Sequence, residues 1–433
     1  MEKGSEVKKT DEASSSSPHS TIRLLLHAVD GLVPYLTPQL LQACFPAERT
    51  GNRLWMGLAV KDTCVVPTFA TEEDAEKNHP RGYQFTDTDI QVDAWMQPYT
   101  RVTVPTFDMV ADAGQRQHAK DAAVAATDQH VMLWTGNGRQ PITPEQYFSS
   151  AQCLDSAWTV PLFDAGGVGP LKKKRWIAAQ KRTQDWSMDY VKRSIATANG
   201  TLFPILVNTD GGNSGTEDQL NSLLEINNDR RHGPMGVVLI GWSKLKDELQ
   251  RESLRQTKSS LNEATVAVLS TDSLAQIIRA ACHGATLIGS SLPQQWALQK
   301  KSFMLDLDEC WNKDDNTEPS AKRPKTNNLY SCDENACLDL HPSSDRVEEH
   351  HWYRDKRPIM SNCTCHTCQI HSRAYIYHLV CAKEMLGEVL LFIHNLHHLL
   401  EVLRSIEGAI VSPEKHEALL AYVNTLSKGS RDV

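Results

Sequence analysis

Short apolar runs alternate with longer stretches of helical period through the middle of the chain. The apolar runs predict strands over residues 130–134, 159–163, 202–207, 236–241, 265–269 and 285–289. Apolar residues spaced three and four apart predict helices over residues 144–154, 172–196, 217–227, 244–257 and 272–283. Near-continuous apolar strands that alternate with helices are typical of a parallel sheet buried on both faces. The repetition predicts an α/β protein with a (β/α)8 TIM-type barrel. An open doubly wound sheet is the weaker prediction, because no glycine-rich phosphate fingerprint follows the strands.

The alternation stops on both sides of this region, which divides the chain into four predicted parts. Residues 1–20 are polar and rich in serine, and they predict a disordered tail. The barrel is predicted over residues 21–311. Residues 312–350 are polar, with several prolines and mixed charge, and they predict a mostly disordered insertion. Residues 351–430 are predicted to form a helical subdomain that contains a cysteine cluster.

Composition and charge restrict the class of protein. The 433 residues are 40% hydrophobic and carry a formal net charge of -8, which argues against a general nucleic-acid-binding surface. The 11 cysteines and the polar, serine-rich start favour a reducing compartment, with thiols free or bound to metal. No apolar run is predicted to span a membrane. The basic run at residues 322–325 is a candidate nuclear localisation signal.

The cysteine cluster is the strongest chemical signal in the chain. Three cysteines follow the pattern C-x-C-x2-C: Cys363, Cys365 and Cys368. Such a loop can supply three thiolates to one metal ion, and Cys3His is a common closed set for structural zinc. Spacing alone leaves four candidates for the remaining ligand: His366, His371, His378 and His394.

The residues after the cluster carry a family resemblance. Ser-Arg-Ala-Tyr-Ile at 372–376, His378-Leu379 and the pair His394-Asn395 follow the cysteines in order. This arrangement resembles the zinc subdomain of the tRNA-guanine transglycosylase family. The resemblance implies one structural zinc ion per chain, with His394 as the fourth ligand, on a (β/α)8 barrel. A weaker similarity begins at about residue 130 and includes residues 143–145, 182–186 and 285–293.

The resemblance also implies that this chain has lost the chemistry of its family. Catalytic members exchange an anticodon guanine for a modified base through an aspartate nucleophile and a second aspartate that transfers protons. Gly289 stands where the nucleophile is expected, and Asp164 matches the aspartate that recognises the base. Residues 112–115 are a poor match to the second aspartate motif. Trp242 is predicted to crowd the base pocket.

Eukaryotic members of the family form an enzyme of one catalytic and one accessory subunit, and this pattern resembles the accessory subunit. The resemblance implies a heterodimer with a catalytic subunit, a tRNA with a GUN-type anticodon, and exchange of its wobble guanine for queuine. It leaves open whether Asp164 retains queuine binding. It implies a cytoplasmic location, and leaves open a nuclear one and a peripheral association with the mitochondrial outer membrane.

Two other functions remain open from the sequence. A divergent catalytic transglycosylase could use a relocated carboxylate, for which Asp164, Asp272 and Asp306 are candidates. A zinc-stabilised RNA-binding protein would have no role in base exchange. A basic stretch is either the solvated face of a barrel helix or a contact for tRNA phosphates: Lys172, Lys173, Lys174, Arg175, Lys181, Arg182, Lys192 and Arg193. His397 and His398 are predicted to lie at the surface or an interface.

Overall fold

A computed structural model gives the conformation of most of the chain. It describes residues 21–28, 32–60, 98–105, 126–135, 138–154, 156–165, 173–194, 199–207, 219–221, 234–261, 264–305, 307, 337–340 and 352–429. The predicted tail at residues 1–20 and the basic run at 322–325 lie outside these ranges. The helix predicted over residues 217–227 is described only at 219–221.

The described strands and helices follow the predicted alternation. The strands are β1 (Arg23–Ala28), β2 (Leu54–Ala59), β3 (Thr100–Val104), β4 (Val131–Thr135), β5 (Gly138–Ile142), β6 (Trp158–Thr159), β7 (Gly200–Leu206), β8 (Met235–Ile240), β9 (Thr265–Thr271), β10 (Leu287–Ser290), β11 (Lys301–Phe303) and β12 (Cys337–Asp339). The helices are α1 (Pro38–Cys44), α2 (Ala47–Thr50), α3 (Pro144–Cys153), α4 (Lys173–Ser194), α5 (Asp247–Ser260), α6 (Leu274–Cys282), α7 (Leu292–Leu298), α8 (His366–Ile370), α9 (Arg373–Cys381), α10 (Met385–Val411) and α11 (Pro413–Gly429).

Eight of these strands close into a parallel barrel in the order β1-β10-β9-β8-β7-β6-β3-β2. The ring closes where β1 pairs with β2 in parallel, for example Leu25 with Trp55. This arrangement confirms the predicted (β/α)8 fold class. The prediction that residues 130–134 form one of the sheet strands was wrong. That segment is β4, which pairs with β5 in a separate antiparallel hairpin because only two residues separate them.

The barrel strands alternate their side chains between two apolar layers, as the period of a strand requires. One layer fills the inside of the barrel: Leu25, Val102, Leu202, Val238 and Ala267. The other layer packs outward against helix residues such as Leu254 of α5 and Ile278 of α6: Leu24, Met56, Phe203, Val237 and Val266. Both layers are buried, so the strands read in the sequence as near-continuous apolar runs.

Aromatic rings fill the end of the barrel where the strands begin. The Arg23 guanidinium lies 5.0 Å from the centroid of the Trp55 ring, and Trp55 stacks on Trp158 at 6.2 Å between centroids. Gly200 begins the neighbouring strand, and a Cβ there would come within 2.4 Å of the Trp158 ring. Glycine is therefore required at residue 200 because the Trp158 ring occupies the space of a side chain.

Helix α10 connects the C-terminal subdomain to the start of the barrel. Near its end, the Glu407 carboxylate accepts hydrogen bonds from the backbone N–H of Ile22 and from the Arg53 guanidinium. Arg404 donates to the backbone carbonyl of Arg49 at 2.9 Å. The subdomain and the barrel are thus joined by polar contacts as well as by the apolar layer on the outside of the barrel.

Helix α10 is also long and apolar enough to cross a membrane by length and composition alone, which the sequence analysis did not predict. Its 27 residues include an 18-residue window with a mean hydropathy of 1.2. That window is 72% buried inside the protein. Most apolar side chains of α10 pack against the barrel and the neighbouring helices, whereas Met385, Leu386 and Val411 at its two ends are exposed.

Part of the predicted insertion at residues 312–350 is described. Strand β12 pairs antiparallel with β11, with Ser302 opposite Leu338. Leu338 and Leu340 are fully buried in the outer apolar cluster. These residues attach the described part of the insertion to the segment that follows α7. The boundaries between the four predicted parts remain predictions.

Candidate metal centre and barrel mouth

The cysteine cluster forms a tight loop that leads into the short helix α8. Cys365 is the N-cap of this helix, and its Sγ accepts a hydrogen bond from the backbone N–H of Cys368 at 3.3 Å. Gln369 reaches back and donates from Nε2 to the Cys363 carbonyl at 3.1 Å. These bonds fix the loop so that all three sulfur atoms face the same point.

Helix α10 brings His394 to that point. The three Sγ atoms lie 3.7, 3.6 and 3.3 Å from His394 Nδ1, for Cys363, Cys365 and Cys368 respectively. In a tetrahedral zinc site with Zn–S of about 2.3 Å and Zn–N of about 2.05 Å, sulfur and nitrogen are separated by about 3.6 Å. All four ligand atoms lie within 4.8 Å of one another, and all four residues are buried. The geometry therefore fits a metal ion held by a closed Cys3His set.

The second ring nitrogen of His394 determines which nitrogen can bind the metal. His394 Nε2 lies 2.7 Å from the carbonyl oxygen of Phe303 in β11, an acceptor. Nε2 must therefore carry the proton, and the lone pair of the neutral ring is on Nδ1, which faces the three sulfurs. This arrangement orients the imidazole for metal binding, as is typical of histidine ligands.

The charges of the four side chains depend on one another. Without a metal ion, burial disfavours charge on the His394 imidazole, but hydrogen bonds to the Sγ atoms of Cys363 and Cys368 outweigh it and raise the pKa of His394 to about 10. Hydrogen bonds with the Cys363 and Cys365 side chains lower the pKa of Cys368. Hydrogen bonds with Cys363 and Cys368 raise the pKa of Cys365 instead. Negative charge on Cys368 is thus favoured beside the positive imidazole, and a metal cation would supply positive charge at the same point.

Two further polar residues of α10 bind the backbone near β11. Asn395 accepts from the Phe303 N–H at 2.7 Å and donates to the Lys301 carbonyl at 3.1 Å. His398 was predicted at the surface or an interface, but it lies inside the chain at 6% exposure, and its Nε2 is 2.6 Å from the Leu305 carbonyl. Its spacing of four residues from His394 places both rings on one helix face, a signal that the sequence analysis missed.

The other histidines considered as ligands lie elsewhere. His371 stacks on Tyr375, with 5.0 Å between ring centroids, and His366 lies edge-on to His371. His378 is exposed on α9. Among the described residues, the group that could hold a metal is therefore the one that the family resemblance implied.

Gly289 lies inside β10 at a distorted part of the barrel. The pairing register of β9 and β10 shifts between Ile288 and Ser290, so the backbones approach closely at residue 289. A Cβ on Gly289 would lie 2.6 Å from the carbonyl oxygen of Leu269 and 2.9 Å from its Cα. The backbone of β9 thus occupies the space that a side chain at Gly289 would need.

The other pocket residues predicted from the sequence are placed differently. Asp164 follows β6 and is buried, with its carboxylate bound to Arg175 and Arg182. Trp242 is fully buried, but its ring packs in the outer apolar layer and its Nε1 donates to the Gln250 carbonyl at 3.0 Å. Trp242 therefore does not crowd the inside of the barrel. The turn at Gly241, with φ of 84°, directs the chain towards α5.

The structure says less about the other carboxylates considered as a relocated nucleophile and about the poor match to the second aspartate motif. Asp272 follows β9, where burial raises its pKa despite the attraction of Lys244. Asp306 and residues 112–115 lie outside the described part of the chain.

The basic stretch falls on α4, apart from Lys172, which the structure does not describe. Arg175 and Arg182 bind Asp164, and Arg193 pairs with an acidic neighbour on the same helix. The exposed cations of this stretch that remain are Lys173, Lys174, Lys181 and Lys192. The helix therefore uses its arginines in ion pairs and presents its lysines to solvent.

Comparison with known proteins gives one consistent result. The family model for TGT, queuine tRNA-ribosyltransferase, matches residues 96–426. A protein of Xenopus tropicalis named queuine tRNA-ribosyltransferase accessory subunit 2 is 25% identical over 297 residues, which covers 66% of this chain and 70% of the relative. A protein of the same name from Anopheles gambiae is 25% identical over 294 residues, which covers 65% of this chain and 61% of the relative. A third protein of this name, from Drosophila yakuba, is 45% identical over 60 residues, which covers 14% of each chain.

Proposed function

Because the chain belongs to the queuine tRNA-ribosyltransferase family, we propose that it acts as the non-catalytic subunit of a heterodimeric tRNA-guanine transglycosylase. In this role it stabilises a catalytic partner and helps to position a tRNA with a GUN-type anticodon, whose wobble guanine the partner exchanges for queuine. The names of the similar proteins support the accessory role. The observation that carries the proposal is that residue 289 is a glycine packed against the backbone of β9.

Residue 289 supports a non-catalytic role in two ways. Glycine has no carboxylate to attack a ribose, and the nearby backbone of Leu269 leaves no space for one. A catalytic nucleophile must approach within about 3–3.5 Å of the reacting carbon in a defined orientation. A β10 strand packed this closely against β9 cannot provide that approach without a shift of its backbone.

We propose that the metal ion is zinc and that its role is structural. Three thiolates and one imidazole form a closed tetrahedral set that leaves no open coordination position for a substrate. His394 at 0% exposure and Cys365 at 3% are shielded from solvent. The ion would hold the loop before α8 against α10, and so fix the shape of the subdomain.

The metal-binding subdomain supplies a candidate surface for the catalytic partner. Its helices expose several large apolar side chains: Ile370 at 61%, Tyr375 at 40%, Met385 at 73% and Leu386 at 43%. Apolar and aromatic side chains of this size are enriched at protein interfaces. We propose that the partner binds these side chains because they lie on α8, α9 and α10, and α8 and α9 both pack against α10.

Met385→Asp is expected to weaken binding of the catalytic partner by about tenfold or more, because it puts a charge into a desolvated contact. The affinity can be measured by isothermal titration calorimetry with the two purified subunits. Val411→Asp is the matched control, since Val411 is 55% exposed at the opposite end of the same helix. Equal affinities for the two variants would remove Met385 from the interface.

The exposed lysines of α4 support a contact with tRNA. Lys173 and Lys174 begin the helix, and Lys181 lies two turns further along. Lysines that face solvent on one helix can bind phosphates without reading sequence, and such binding weakens as salt concentration rises.

The direct test of the proposal is exchange of labelled guanine in tRNA by this chain, by a catalytic family member, and by both together. The pair is expected to be active and this chain alone inactive. Exchange by this chain alone would contradict the proposal and would point to a relocated carboxylate, which a covalent tRNA adduct on this chain would identify.

Two further measurements test the tRNA contact and separate the accessory role from a role in RNA binding alone. Lys173→Glu with Lys174→Glu is expected to raise the KM of the pair for tRNA and to leave subunit binding unchanged. Binding of tRNA by this chain without any association with a transglycosylase would instead support an RNA-binding protein with no role in base exchange.

A further inference from the structure

The end of the barrel where the strands begin holds an arginine whose buried N–H lacks an acceptor. Arg23 begins β1, and its side chain is on the same face of the strand as Leu25, which belongs to the inner apolar layer. The Arg23 guanidinium lies over the Trp55 ring. Its Nε is buried and has no hydrogen-bond partner within the described ranges of the chain. Buried polar groups in native proteins are almost always hydrogen-bonded, so this donor is suited to an acceptor from outside the chain.

The aromatic rings beside Arg23 are fixed in position. The Trp55 indole N–H donates to the backbone carbonyl and to the side-chain oxygen of Asn52, each at 3.1 Å. Trp158 stacks on Trp55, and Gly200 lies against the Trp158 ring. These rings form a rigid base for the Arg23 guanidinium. Arg23 is half-buried, so its guanidinium remains reachable from solvent.

The charges around Arg23 are not balanced. Arg53, which precedes β2, pairs with Glu407 of α10, and each of these two side chains is 20% exposed. Glu407 also accepts a hydrogen bond from the backbone N–H of Ile22. Burial lowers the pKa of Arg23, the charge of Glu407 opposes this, and the charge of Arg53 lowers the pKa further. Two guanidinium groups thus share one carboxylate, and the surroundings disfavour the positive charge of Arg23.

This arrangement indicates the class of ligand that would bind. A guanidinium group presents its N–H donors in a planar fork that matches the oxygens of carboxylates and phosphates. A phosphate group has enough oxygens to accept from Arg23 and Arg53 together. Its negative charge would also balance the second cation, which a neutral acceptor such as water cannot do.

We propose that Arg23 and Arg53 form an anion site for phosphate-class oxyanions, either inorganic phosphate or the phosphate group of a small monoester. The bound anion would connect the starts of β1 and β2. Because Arg53 also holds Glu407, the anion would strengthen the contact between the barrel and α10. The site lies at the opposite end of the strands from Asp164, which follows β6. It therefore does not depend on the proposed role beside a catalytic partner.

The full chain is expected to bind inorganic phosphate, and Arg23→Met is expected to weaken this binding by about tenfold or more, because charge-assisted hydrogen bonds are lost. Methionine retains a flexible apolar side chain beside the Trp55 ring. Line broadening in phosphorus NMR measures the binding at an ionic strength held constant with sodium chloride. Phosphate should also raise the midpoint of thermal unfolding more for the unmodified chain than for the variant, since a ligand of the folded state stabilises it.

Arg255→Met is the matched control, because Arg255 is exposed on α5 and pairs with Glu252. It is expected to bind phosphate as the unmodified chain does. Arg23→Lys keeps the charge but not the planar fork, and it is expected to bind with intermediate affinity. This variant repeats the test if Arg23→Met is unstable. Equal phosphate affinity with and without Arg23, or no phosphate binding by the folded unmodified chain, would overturn the proposal.

Methyl phosphate distinguishes the two sources of the anion. Binding of inorganic phosphate alone would assign the site to the free oxyanion, and binding of both would extend it to small phosphate monoesters. In either case the affinity should depend on Arg23. Loss of partner-dependent exchange activity would bear on the subunit role and not on this site.

Discussion

Alanine at residue 394 is expected to release the metal and to unfold the subdomain around α8 and α10. In the proposed zinc site His394 is one of four ligands, and metal binding stabilises small structural zinc sites by about 10–16 kcal/mol. That is as large as the whole stability of a typical domain, about 5–15 kcal/mol. His394→Ala also removes the hydrogen bond to the Phe303 carbonyl. Metal content by mass spectrometry should fall from one zinc per chain to near zero, with a loss of helical circular dichroism.

Two neighbouring histidines serve as controls for this result. His371→Ala should keep both metal and helix, because His371 stacks on Tyr375 and lies outside the ligand cluster. His398→Ala should keep the metal but lose about 1–3 kcal/mol of stability, since the Leu305 carbonyl then lacks its buried donor. Zinc retained in His394→Ala and lost in His371→Ala would show that the ligand set is wrong.

Aspartate at residue 289 is expected to destabilise the barrel and to restore no activity. The new Cβ would meet the Leu269 carbonyl oxygen at 2.6 Å, and backbone atoms cannot move aside as a side chain can. Overpacking of this kind costs about 1–3 kcal/mol, and a buried carboxylate without a partner adds to it. Urea unfolding should show a loss of roughly 3 kcal/mol or more, and a tRNA exchange assay should show no covalent adduct.

Two glycine-to-alanine variants separate steric from electrostatic effects. Gly289→Ala introduces the backbone clash without the charge and should cost about 1–3 kcal/mol. Gly408→Ala has no heavy atom within 4 Å of the new Cβ and lies in the exposed part of α10. It should be neutral or stabilising by up to about 1 kcal/mol. A folded, active Gly289→Asp chain would mean that the strand had retained space for the nucleophile.

The barrel was predictable because strands buried on both faces produce apolar runs that local pattern detects. Pattern does not reveal the partner of a strand, which is why residues 130–134 were assigned to the sheet and instead form a hairpin with β5. The antiparallel pairing depends on the short connection between the two strands and on packing against α3 and α4. Neither is visible in the period of the apolar residues.

The metal site was predictable only in part from spacing. The short spacing of Cys363, Cys365 and Cys368 is enough to predict that they bind one metal ion. His394, in contrast, is 26 residues beyond Cys368. Which helix face meets the loop is set by tertiary packing, so the family resemblance was needed to select it. The bonds from Arg175 and Arg182 to Asp164 depend in the same way on how α4 docks beside β6. Sequence pattern does not determine that docking.

The contact between Glu407 and Ile22 cannot form until nearly the whole chain has been synthesised. The two residues are 385 apart in sequence, yet the N–H of Ile22 binds the Glu407 carboxylate. At ribosomal rates of about 5–20 residues per second, the acceptor is made roughly 20–80 s after the donor. In the barrel, β1 lies between β2 and β10. For most of that time β10 has not yet been made. The first strand of the nascent barrel therefore leaves the ribosome with one edge that stays unpaired until β10 has been made.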